Sequence, residues 1–129
     1  TFLMNCVAQR VLERGYSVVV ISAYKLVELM RGYQFDGKGA EQVQDILTCD
    51  LLAIDDLGSE PMIRGVTISS LYYIVSERNN ANRAILVTTN CDSDLLYEKY
   101  DDRIAARLTA PSRMNVIEFV GTDVRRFAH

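Results

Sequence analysis

Four short apolar runs, each separated from the next by a helix-length stretch of mixed polarity, constrain the fold of this chain most. They are SVVVIS (17–22), DLLAIDD (50–56), RAILVTT (83–89) and NVIEFV (115–120). The first has no polar alternation, which is the pattern of a strand covered on both faces, as in a parallel sheet. The intervening segments carry helical spacing instead. Leu3, Val7 and Val11 recur every four positions up to Gly15, and Leu26, Val27, Leu29 and Met30 form a second stripe before the Gly-rich break RGYQFDGKG. Helical spacing returns at Val43, Ile46 and Leu47, then at Ile68, Leu71, Tyr72 and Val75, with two short helical stretches over 92–108. Such alternation predicts right-handed βαβ crossovers and a three-layer α/β fold around a parallel sheet.

A chain of 129 residues with 49% hydrophobic and 24% charged content is sized for one core, so 1–129 reads as a single domain. The net charge of −3 excludes a protein that coats nucleic acid through a global positive field and leaves only a local basic stripe for that purpose. Cys6, Cys49 and Cys91 are odd in number and widely spaced, which argues against a disulfide framework or a zinc site and for a reducing cytoplasm. No run approaches the roughly 18 apolar residues of a membrane span, and TFLMNCVAQRVLERG is too charged for a secretory signal.

The chemistry concentrates where strands end. In LLAIDDLGSEP four apolar residues run into Asp55 and Asp56. In an open α/β sheet the ligand crevice lies beyond the carboxyl ends of the strands, so both acids are expected there. They serve either a cation and an attacking water, or a turn that caps the next segment. The third strand ends in Thr88-Thr89-Asn90; an uncharged amide at that edge either binds a water or phosphate oxygen or caps the following helix. Arg103 and Arg107 share a helical face in DDRIAARL, as a solvated surface or as guanidiniums offered to phosphate. Arg125 and Arg126 follow Asp123 near the end, either as a basic helix start or as a phosphate sensor.

Taken together and in order, the helix TFLMNCVAQRVLERG with SVVVIS, then LLAIDDLGSEP, ILVTTN, DRIAARL and GTDVRR, resemble the AAA+ helicase loaders of the DnaC/DnaI type, relatives of the IstB transposition ATPases. The resemblance runs essentially end to end and implies an AAA+ P-loop NTPase core. It makes Asp55 the Walker B acid associated with Mg²⁺, Asp56 the catalytic acid and Asn90 the sensor 1 residue. It also makes Arg107 the arginine finger acting on an adjacent subunit, with Arg103 as runner-up, and Arg125 the sensor 2 arginine. DDLG followed by S-E-P is similar to the replication loaders, whereas the IstB-like proteins tend to carry D-E with G-Y.

In that family a GxxxxGK precedes a Ser or Thr at the start of the first helix, and Thr1 stands in this last place, as a nucleotide and Mg²⁺ ligand. The resemblance thus implies an amino-terminally truncated domain that begins after the first strand and phosphate loop. Such a chain on its own is expected to bind ATP poorly. The third strand and 115–120 are then expected to close on each other or to pair with another chain. For the intact protein the implied cofactors are ATP and Mg²⁺, and the implied partners a replicative helicase, single-stranded DNA and further copies of itself. Arg31 and Lys38 with Tyr33 and Phe35 are the candidate DNA contacts, opposed by a reading of the same segment as a plain flexible loop. Two other functions stay open: an IstB-like transposition helper and a nonhydrolytic interaction module.

Overall fold

The computed structural model describes residues 2–109. Its elements run α1 (Phe2–Glu13), β1 (Val18–Ser22), α2 (Ala23–Asp36), α3 (Ala40–Thr48), β2 (Leu51–Leu57), α4 (Thr67–Asn80), β3 (Ala84–Thr89), α5 (Ser93–Lys99) and α6 (Asp102–Thr109). Among the described residues the strands form one parallel sheet in the order β1-β2-β3. Thr1, Arg125 and the run 115–120 lie outside the described residues, and with them the expected closure on β3.

Central position explains why β2 is the most buried strand. Leu52, Ala53 and Ile54 are at most 1% exposed, and burial of the Leu52 and Ile54 side chains contributes about 1.5–3 kcal/mol each. Leu52 and Ile54 belong to the main core with Leu26, Ile46, Leu71, Ile74 and Ile104, from the helices α2, α3, α4 and α6. Alternation along the strand turns Leu51 and Ala53 to the other face, where α1 packs with Met4 and Ala8 buried. The helix α1 therefore uses a face displaced from the expected one, because Leu3 is 51% exposed and Val7 39%. A strict four-residue spacing drifts around a 3.6-residue helix, and the stripe that meets the sheet is the one through Met4 and Ala8.

Two further expectations are corrected. Among the described residues the two faces of β1 are unequally covered: Val19 and Ile21 pack on the core, while Val20, which pairs with Ala53 toward the α1 side, is 48% exposed. The helix α1 reaches both β2 and β1 but leaves Val20 open. Likewise Gly32 does not break α2, which continues through Asp36 and ends at Gly37, a left-handed cap whose N–H donates to the carbonyls of Gly32 and Tyr33. Its start is set by Ser22, whose hydroxyl accepts from the Lys25 N–H at 3.2 Å, so β1 passes into α2 without a loop.

Candidate functional site

The edge formed by the carboxyl ends of the three strands is built around an irregularity in β2. Ile54 pairs with Val87 and Leu57 with Thr89, so Asp55 and Asp56 together face the single residue Thr88. This is a bulge, uncommon in parallel sheets and frequent beside active sites. A regular strand sends neighbouring residues to opposite faces, and the extra residue breaks that alternation at the two acids. Asp56 takes a left-handed backbone (φ 58°), a conformation that Asp tolerates better than most residues.

Thr88 locks the bulge. Its hydroxyl donates to Asp55 Oδ1 at 2.6 Å and accepts from the Asp56 N–H at 2.8 Å, so one side chain fixes both acids. Asp55 is half-buried and Asp56 exposed. The Ser59 hydroxyl adds a bond to the Asp56 carbonyl at 2.8 Å. At the next strand end Thr89 donates to the Leu57 carbonyl (2.6 Å) and accepts from the Cys91 N–H (3.0 Å), and Asp92 caps α5 through the Leu95 N–H at 2.9 Å. The capping work therefore falls to Asp92. Asn90 stands exposed between them, its amide without a partner among the described residues.

The loop leaving the acids is anchored by groups that the sequence did not advertise. Glu60 is 3% exposed and Tyr100 2%. Glu60 Oε2 accepts from the Gly58 N–H at 2.8 Å, its other oxygen accepts from the Tyr100 hydroxyl, and Lys99 donates to the Gly58 carbonyl. Burial, reinforced by the bond to Glu60, raises the Tyr100 hydroxyl well above its ordinary range. Gly58 itself has φ 112°, and a Cβ there would meet Cys91 Sγ at 2.8 Å. Farther along, the buried Thr67 hydroxyl donates to the Pro61 carbonyl at 2.8 Å and accepts from the Ile63 N–H at 2.9 Å. Glu60→Ala is expected to cost about 2–4 kcal/mol, because the Tyr100 hydroxyl and the Gly58 N–H both lose a buried acceptor. Urea denaturation measures it; a loss below about 0.5 kcal/mol would show that the latch carries little.

The two arginines of α6 differ sharply. Asp101 accepts from the Arg103 N–H (2.7 Å) at the start of the helix and binds its guanidinium through Nε at 3.1 Å and Nη2 at 2.8 Å. These bonds hold the Asp101 carboxyl below the usual range and raise Arg103. Arg107 has no carboxylate partner among the described residues; one of its nitrogens donates to the Arg103 carbonyl at 3.0 Å. Both guanidiniums lie over the ring of Tyr72 on α4, at 4.3 Å for Arg103 and 5.0 Å for Arg107.

The proposed DNA contacts do not form one surface. Arg31, Tyr33 and Phe35 are on helix rather than loop, with only Lys38 in the connection to α3. Arg31 and Phe35 are one turn apart on one face, while Tyr33 lies on the other side, in a shallow groove with Met30, Gln34, Ser69, Ser70 and Tyr73. All four are exposed.

Among the described residues no three His, Cys, Asp or Glu side chains gather as a metal site. Two adjacent carboxylates at a strand end nevertheless fit Mg²⁺, which takes one or two protein carboxylates and fills its shell with water and phosphate oxygens. No described helix is long and apolar enough to cross a membrane.

Known structures share this fold. The replication initiator DnaA bound to AMPPCP and single-stranded DNA superposes with a TM-score of 0.67 at 22% identity, over 81% of this chain and 32% of that one. Domain III of the Thermotoga maritima DnaA gives 0.70 at 21% over 81% and 44%, and the DnaC helicase loader 0.65 at 19% over 81% and 64%. This chain thus spans less than two thirds of each. No curated protein matches the sequence significantly. The model of the IstB-like ATP binding proteins matches residues 1–110, and the chain belongs to that family.

Proposed function

We propose that this chain is the ATPase domain, over 1–129, of a switch that binds and hydrolyses Mg·ATP between subunits and delivers a replicative helicase to single-stranded DNA. The observation that carries the proposal is the bulge at the end of β2, where Thr88 holds two acids at the ligand edge of a parallel sheet. Asp55 is the carboxylate suited to Mg²⁺, since its Thr88 bond fixes one oxygen and its half-burial limits its motion. Bound with ATP, Mg²⁺ supplies charge neutralisation at the phosphate oxygens. Asp56, exposed beside it, accepts a proton from the attacking water. The Asn90 amide orients that water, and Arg107 reaches the nucleotide of the next subunit. Thr1 and Arg125 complete this assignment as nucleotide ligands, Thr1 also toward Mg²⁺. Of the candidate strand contacts Arg31, Tyr33, Phe35 and Lys38, the pair Arg31 and Phe35 on one helical face is the one proposed to act together, by phosphate pairing and stacking. Lys38 lies beyond the helix end, and Tyr33 is a separate candidate contact on the other side.

Support for helicase loading comes from the fold shared with the DnaC helicase loader and from the run DDLGSEP. The family description favours a second reading, an IstB-like transposition helper. Affinity capture in the natural sequence context separates them: retention of a replicative helicase supports loading, and retention of a transposase without helicase replaces it. Mg·ATP hydrolysis separates both from a nonhydrolytic module, which would show nucleotide-independent partner binding and no turnover.

A further inference from the structure

The α4 residue Tyr72 carries no role in the assignment above, yet both α6 guanidiniums stack on its ring. Like charges one helical turn apart repel. Two different devices offset this here. Arg103 gives its in-plane donors Nε and Nη2 to Asp101. Among the described residues Arg107 has no carboxylate partner, and is held by the ring at 5.0 Å and by one bond to the Arg103 carbonyl at 3.0 Å.

The difference matters chemically. Stacking engages the face of a guanidinium, whereas phosphate is bound by the N–H groups in its plane. A guanidinium has five such donors, and Arg107 spends one. Its edge stays available for an anion, while the ring removes much of the rotamer freedom that an arginine otherwise loses on binding. Arg103 has the opposite arrangement: its edge is consumed by Asp101, and its attachment braces the start of α6.

We propose that Tyr72 is a positioning residue that presents the free edge of Arg107 to a phosphate on a neighbouring subunit, with the Arg103–Asp101 pair as the brace of the same helix. The proposal rests on the reading of Arg107 as a trans-acting group. It predicts that the aromatic face, not the hydroxyl, is what counts at position 72.

The test uses the protein in its natural sequence context and compares Mg·ATP hydrolysis, KM for ATP and thermal unfolding in Tyr72→Phe, Tyr72→Leu, Arg107→Ala and the double variant Tyr72→Leu/Arg107→Ala. Tyr72→Phe is expected to keep kcat within about threefold, and Tyr72→Leu to lower it on the order of tenfold or more at unchanged KM, as misplacement of a charge-stabilising group does. The double variant is expected to be no slower than Arg107→Ala alone, as for two residues acting through one guanidinium. If Arg107→Ala abolishes turnover while a folded Tyr72→Leu retains it, the positioning role is wrong and the reading of Arg107 stands. If Arg107→Ala itself turns over normally, that reading falls and the inference with it. Equal losses in Tyr72→Phe and Tyr72→Leu, or an additive double variant, would also overturn it.

Discussion

In the natural sequence context, replacing Asp56 by Asn is expected to slow ATP hydrolysis by about 10²–10⁴-fold while leaving ATP affinity nearly unchanged. Asn keeps the size of the side chain and tolerates the left-handed backbone at φ 58°, so the bulge and its Thr88 bond are retained. What disappears is the carboxylate proposed to take a proton from water. Because Asp56 is exposed, the substitution leaves the core untouched and stability should move by no more than about 0.5 kcal/mol. The split between kcat and affinity distinguishes this acid from Asp55, whose proposed place on Mg²⁺ predicts weaker nucleotide binding when it is removed. Steady-state turnover with equilibrium ATP binding checks it; parallel loss of both would return the acid pair to a structural role.

Arg78→Met is expected to be the most damaging single change to the fold, at about 3–5 kcal/mol, a large part of the roughly 5–15 kcal/mol that holds a typical domain. Arg78 is fully buried. Its Nη1 donates to the Ile46 carbonyl (2.8 Å) and to Cys49 Sγ (3.4 Å), and its Nη2 to the carbonyls of Ala84 (2.7 Å) and Asp50 (3.3 Å). It thereby caps the end of α3 and joins it to the starts of β2 and β3, with Arg83 adding a bond to the Leu47 carbonyl at 3.1 Å. Burial lowers its pKa, a direction that measures how costly the charge is to keep inside. Methionine removes that cost, and swaps of buried ion pairs for apolar groups are sometimes neutral. Here, however, only the donor is removed and three carbonyls stay behind, each left wanting at about 1–3 kcal/mol. The cost of the orphaned acceptors outweighs the relief. Urea denaturation with an unchanged slope and a lower midpoint is the expected result; a variant as stable as the parent would refute this balance.

The order of elements was legible because strand and helix have different periods, and RAILVTT differs from β3 (Ala84–Thr89) by one residue at its start. The acid pair was legible for a similar reason: carboxylates directly after LLAI have to leave the core. The bulge that organises them was not, since it depends on the offset between two strands and on a threonine 32 positions away from Asp56. Arg78 reads in sequence as a surface residue of a helix end, and only the convergence of three backbone segments makes its burial tolerable. Glu60 was noticed only as part of S-E-P, because a buried acid announces itself through a partner, Tyr100, that is 40 residues away. Gly32 misled because a glycine costs a helix about 1 kcal/mol, a small penalty beside the packing of Leu26, Val27 and Met30.

The central claim is that one subunit supplies the acids and its neighbour the arginine. Mixing Asp56→Asn with Arg107→Ala protein in the natural sequence context tests it most directly, by Mg·ATP hydrolysis of each variant alone and of the mixture. Each variant alone is expected to be strongly slowed and the mixture to regain activity, since some interfaces then join an intact acid pair to an intact Arg107. A mixture as inactive as its components, with both variants still assembling, would contradict it.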